Sequence, residues 1–145
     1  MGEVVVTSLS NLRNEVSYGG GEAFTTDEPK ELGGEGAGPD PYTLLLAALG
    51  SCISMTLTMY ARRKGWPLER VRVTLRQRRV HARDCAACGE DAPDDFVHQI
   101  ERAVEVEGPL SEEQRARLLD IAHKCPVHRT LDSAIRVTEF EGGAA

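Results

Sequence analysis

The chain has 145 residues, enough for one domain with one sizeable core. Hydrophobic residues make up 41% and charged residues 28%, ordinary values for a soluble globular protein. The formal net charge of −6 and the 5% aromatic content argue against nucleic-acid binding, which calls for a basic balance.

Met1-Gly2-Glu3 is acidic and no long apolar stretch follows it, so no signal peptide is expected and the chain is placed in the cytoplasm. Residues 3–26 read as short strands. Leu12, Asn14, Val16 and Tyr18 alternate with Arg13, Glu15 and Ser17, and Gly19-Gly20-Gly21 offers a turn before Glu22–Thr26. The glycines between Gly33 and Pro39 predict a loop.

Asp40 then Pro41 opens a helix, with a side-chain acceptor at N-cap and a proline at N1. It is expected to run to about Lys64, where Arg62, Arg63 and Lys64 suit the negative end and Gly65 stops it. Its most apolar run, Leu44 to Leu57, is shorter than a membrane span and carries Ser51, Ser54 and Thr56, so it reads as a core helix and no membrane partner is expected. Residues 70–81 alternate as a strand with one wet face. His81 to Asp95 is polar and reads as a loop or hairpin end. Phe96 to Glu107 returns as a strand, with a bulge expected near Ala103-Val104.

Ser111-Glu112-Glu113-Gln114 is a capping box for a second helix, with Leu118, Leu119, Ile121 and Ala122 as its inner face. Pro126 interrupts that helix and a short turn follows. Ser133 to Phe140 reads as a last strand. Strand runs separated by two main helices predict an α+β fold, one domain over residues 1–145.

Four cysteines without an export signal are better suited to catalysis or metal binding than to structural staples. Cys52 lies within the apolar helix, on one stripe with Leu45, Ala48, Leu49, Met55, Thr56 and Met59. Read blandly, it is a small core hydrophobe. Read sharply, it is a thiolate at the bottom of an apolar pocket, and then it needs a positive partner from elsewhere in the fold or from a second subunit. Cys125 precedes Pro126 and fits the N-cap of a short helix, where free N–H groups and His123, Lys124, His128 and Arg129 favour a thiolate. The bland alternative is a helix break that contains a cysteine. Cys85-Ala86-Ala87-Cys88, with His81 upstream, has three readings: a surface loop, a zinc site through His81, Cys85 and Cys88, or a redox dithiol. The basic clusters Arg62-Arg63-Lys64 and Arg76, Arg78, Arg79 read as solvated faces.

Asp27-Glu28-Pro29, Gly33-Gly34, Gly38-Pro39-Asp40-Pro41-Tyr42, the run from Leu44 to Cys52, and Cys125-Pro126-Val127-His128-Arg129-Thr130-Leu131 together resemble the OsmC/Ohr family of osmotically inducible and organic hydroperoxide resistance proteins. The resemblance covers about Arg13 to Val137. It implies two central helices against antiparallel sheets, in an intertwined homodimer with two equivalent sites at the interface. It implies a thiol-dependent peroxidase acting on organic hydroperoxides, with no cofactor and no metal. Cys52 would attack the peroxide and Cys125 would resolve the sulfenic acid. A dithiol such as dihydrolipoamide would reduce the disulfide, and Arg13 would be the family's arginine. The chain departs from the hydroperoxide-resistance branch in having Tyr42 and Thr43 where that branch has a glutamate, with Asp40 about a turn earlier as a partial substitute. It also carries a Cys-x-x-Cys loop that the best-known members lack. The alternative is a redox-sensing or small-ligand-binding member without efficient turnover.

Overall fold

Three short strands come first in the computed structural model, which describes residues 2–85, 88 and 95–141. They belong to the first of two compact units, Met1–Ala47 and Ala48–Ala145. β1 (Val4–Ser8), β2 (Asn14–Tyr18) and β3 (Glu22–Thr26) form an antiparallel meander in that order, with Val6 opposite Val16 and Val16 opposite Phe24. The turn between β2 and β3 needs positive φ at Gly19 (57°) and Gly21 (116°), a region open to glycine at little cost.

The glycine-rich loop after β3 is organised by one carboxylate. Asp27 is buried, and its oxygens accept N–H groups from Glu28 at 2.8 Å and from Glu35 and Ala37 at 3.1 Å. The loop lies so close to β3 that a Cβ on Gly38 would sit 2.1 Å from the Thr25 carbonyl oxygen. Burial raises the Asp27 pKa, but the N–H groups of Ala37, Glu28 and Glu35, helped by the Arg13 charge, outweigh it and hold the carboxyl below its ordinary value. A group with a depressed folded pKa stabilises fully above its unfolded pKa, and that stabilisation is lost as pH falls through the folded value. Asp27→Asn is therefore expected to lower the melting temperature at neutral pH. It is also expected to flatten the acid limb below about pH 4. Melts followed by circular dichroism from neutral pH to acid check both effects.

Helix α1 (Pro41–Lys64) has the predicted bounds. Asp40 caps it, its Oδ1 accepting both the Thr43 N–H, at 3.3 Å, and the Thr43 hydroxyl. At the far end Gly65 is left-handed (φ 68°), and the Trp66 N–H reaches back to the Ala61 carbonyl at 2.9 Å. By length and composition this helix could cross a membrane. In the second unit its stripe Leu49, Ile53, Leu57 and Ala61, spaced four apart, is instead buried in the core.

The other side of that core is the hairpin of β4 (Arg70–His81) and β5 (Phe96–Glu107). Val71, Val73, Leu75, Ile100, Val104 and Val106 face inward, while Arg70, Arg72, Arg76 and Arg78 pair with Glu107, Glu105 and Glu101 outside. The expected bulge at Ala103-Val104 is absent, because pairing runs unbroken from Arg70↔Glu107 to His81↔Phe96. Ala103 is simply a small apolar residue on the wet face.

α2 (Glu112–Ile121) starts at the predicted capping box, with Ser111 Oγ accepting the Gln114 N–H and Gln114 Oε1 accepting the Ser111 N–H. Leu118, Ile121 and Ala122 are buried as expected, but Leu119 is 41% exposed, since its position turns it off the inner stripe. A 3₁₀ turn (Ala122–Lys124) leads to α3 (Pro126–Leu131). The predicted strand Ser133–Phe140 does not form. Among the described residues no strand pairs with it, and Ile135, Val137 and Phe140 are exposed. Alternation gives a segment the means to be a strand, but a strand also needs a neighbour to complete its hydrogen bonds. The whole is an α+β fold with antiparallel sheets and few helices.

Candidate functional site

The core of the second unit brings together two free thiols. α1 carries Cys52 at the edge of its buried stripe, half-buried beside Leu49 and Ile53. Cys125 ends the 3₁₀ turn after α2 and serves as the N-cap of α3, with no accessible surface. The proline at N1 sets that start, as its missing N–H and fixed φ suit the first helical position. The Cys125 thiol lies within hydrogen-bonding reach of Cys52.

Cys125 is held protonated. Burial raises its pKa first, and the S–H bond to Cys52 and the repulsion of a charge on Cys52 raise it further. The N–H groups of His128 and Val127 pull the other way, but neither makes a capping bond to the side chain. The helix start was expected to favour a thiolate, and desolvation outweighs it. Cys52 sits differently. Its stripe is not uniformly buried, for Leu49 is buried while Met55 and Met59 are 64% and 68% exposed, and Cys52 itself is only partly covered.

The other predicted residues have partners within the first unit. Arg13 belongs to the first unit, where its Nε is 3.2 Å from a Glu35 carboxylate oxygen, aligned too poorly for a hydrogen bond, and its charge acts on Asp27. Asp40, considered as a substitute acid, is occupied by capping: the Thr43 hydroxyl, against the opposing effect of burial, keeps its pKa low. Among the described residues of the second unit, no guanidinium or ammonium bonds to either sulfur.

Cys85 and Cys88 are joined in a disulfide, and in this oxidised form neither offers a thiolate to a metal. His81 accepts the Arg83 N–H at Nδ1, and among the described residues no group of three or more His, Cys, Asp or Glu could hold a metal ion.

The Arg62-Arg63-Lys64 cluster is exposed, as expected, and two of its cations make a further contact. Arg63 and Lys64 lie over the Tyr60 ring, 5.2 and 5.8 Å from its centroid, and Arg117 from α2 joins them at 5.8 Å while donating to the Tyr60 hydroxyl at 3.1 Å. The spacing of Tyr60, Arg63 and Lys64 at i, i+3 and i+4 carried half of this signal. The arrival of Arg117, fifty-seven positions away, carried the other half and is invisible in a linear reading.

Comparison with known proteins matches the family model described as OsmC-like protein over residues 34–140. A comparison with curated proteins finds no match by sequence. Among solved structures, the chain is similar to an OsmC-like protein of Mycoplasma pneumoniae (20% identity, TM-score 0.69, covering 90% of this chain and 86% of that one). It is similar to the organic hydroperoxide resistance protein OsmC of Legionella pneumophila (20%, 0.62, 90% and 89%). It is also similar to the organic hydroperoxide resistance protein OhrB of Bacillus subtilis (15%, 0.60, 91% and 90%). At such identities these structures speak for the fold alone. The family model spans most of the chain and takes in both thiol segments, and on that ground the chain belongs to the OsmC-like family.

Proposed function

We propose that this protein is a thiol-dependent peroxidase that reduces organic hydroperoxides. The observation that carries the reading is the pair of free thiols, Cys52 half-open and Cys125 sealed and protonated against it. Relatives named for organic hydroperoxide resistance support the substrate class.

The Cys52 thiolate attacks the terminal peroxide oxygen, the O–O bond breaks, and the alkoxide leaves and takes up a proton as the alcohol. Cys52 is then a sulfenic acid. Cys125 loses its proton and attacks the Cys52 sulfur, water leaves, and the disulfide forms. A dithiol such as dihydrolipoamide reopens it by two exchange steps and becomes the oxidised disulfide itself. Arg13, from the family resemblance, supplies the positive charge that favours the Cys52 thiolate. The protein works in the cytoplasm. It works as a homodimer, and exposed Val4 and Val6 in the first unit and exposed Val137 and Phe140 in the second support that association.

One equivalent of cumene hydroperoxide per chain, added with Cys52 and Cys125 reduced, should remove both of these thiols, with a loss of two mass units. Dithiothreitol or dihydrolipoamide should then sustain repeated cycles. A Cys52→Ser protein that consumes peroxide as fast as the parent overturns the proposal. A single round of oxidation that no dithiol reverses would instead favour a redox sensor.

A further inference from the structure

The stripe of α1 that carries Cys52 continues through Thr56, Met59 and Arg63, at spacings of four, seven and eleven residues. These three line a cleft of about 580 Å³ between α1 and the α2–α3 segment. From Cys52 to Arg63 the helix rises about 16 Å. The opposite wall includes Lys124 and Pro126, which flank Cys125 in the chain, so it is built from the segment that carries the second sulfur. Met59, Ile121 and Pro126 give it apolar lining near the thiols. Arg63, Arg117 and Lys124 give it a cationic lining, together with Tyr60.

These cations are unusual within this chain. It carries 23 Asp and Glu against 17 Lys and Arg, and four arginines of β4 are paired with glutamates across the hairpin. Among the described residues, no carboxylate lies within ion-pair distance of Arg63, Lys64, Arg117 or Lys124. The nearest acidic influence is Asp120, which acts on Arg117 through its field. Arg117 first, then Lys64 and Arg63, hold the Tyr60 phenol below its ordinary pKa against the effect of burial, as a positive local potential requires. A cleft that joins apolar side chains to cations with no carboxylate partner among the described residues matches a molecule with a hydrocarbon body and an anionic end.

We propose that this cleft recognises the carboxylate of an amphipathic anion, with Arg63 and Lys124 as specificity-determining residues. It deepens the peroxidase reading, because such an anion is either the peroxide or the dithiol that serves the same sulfurs.

Binding is tested first on the full chain, without turnover, using decanoate and decanol below their aggregation concentrations. The single tryptophan, Trp66, packs 5.5 Å from Tyr60 and reports occupancy by fluorescence. Decanoate should bind at least about tenfold tighter than decanol. Arg63→Gln and Lys124→Gln, both at exposed positions, should each weaken decanoate about tenfold and leave decanol unchanged, with parental circular dichroism. Equal affinities, or a preference that survives both substitutions, overturn the proposal. Turnover then assigns the source. A kcat/KM preference for dihydrolipoate over dihydrolipoamide places the anion on the reductant, and a preference for a carboxylated hydroperoxide over its methyl ester places it on the peroxide. Indifference in both arms overturns recognition during catalysis. Charge-dependent decanoate binding without any turnover sinks the peroxidase reading and leaves this one standing.

Discussion

Cys125→Ser is expected to convert a cycling peroxidase into one that consumes about one equivalent of peroxide per chain and then stops. The first oxidation should keep its rate, because Cys52 is itself partly exposed and Cys125 is the sealed member of the pair. What disappears is the second sulfur. Serine preserves shape but offers an oxygen that cannot close a disulfide, so the sulfenic acid persists and a dimedone-type probe should trap it. In the parent protein the same step should be pH-dependent. Cys125 attacks only as thiolate, and burial together with Cys52 raises its pKa, so closure should keep accelerating with pH beyond the range of an ordinary thiol. Quenched-flow mass analysis after one equivalent of cumene hydroperoxide separates the two steps. Closure that is flat across the alkaline range would contradict the protonated, buried Cys125 described above.

Much of the fold was legible because local signals agreed with one another. Asp40-Pro41 and Gly65 bracket α1, the capping box opens α2, and alternation fixes both long strands at their observed bounds. The misses share a cause. Ser133–Phe140 has a strand's alternation but no paired neighbour among the described residues, and pairing is a property of two segments. Leu119 is apolar and adjacent to Leu118, yet a 3.6-residue period permits only one of them to face the core. Both thiols were found because each sits in a recognisable helical setting. Their states were harder to read. The raised pKa of Cys125 depends on packing that brings Cys52 against it, and the pairing of Cys85 with Cys88 could not be told from a metal site by spacing alone. Asp27 illustrates the opposite case. An aspartate before a glycine-rich loop reads as ordinary turn chemistry, and only the fold reveals that three backbone N–H groups converge on it.

Leu118→Ala is expected to cost about 3–5 kcal/mol and to lower the melting temperature by roughly 10 °C or more. Leu118 has no accessible surface and packs in the cluster that holds Leu57, Ile121 and Cys125, so truncation leaves a cavity that rigid neighbours fill poorly. Leu119→Ala is the internal control. The same substitution one residue along, at a 41% exposed position, should cost about 0.5 kcal/mol or less. The cavity also lies in the wall that carries the second sulfur. α2, the 3₁₀ turn and α3 position Cys125 against Cys52 only while Leu118 and Ile121 anchor that wall to α1. Peroxide should therefore oxidise Cys52 in Leu118→Ala at nearly the parental rate, while disulfide closure slows and sulfenic acid accumulates even below the melting transition. If both variants melt alike, burial is not what distinguishes these leucines. If Leu118→Ala is destabilised but closes its disulfide at the parental rate, the wall's rigidity does not hold the two sulfurs together.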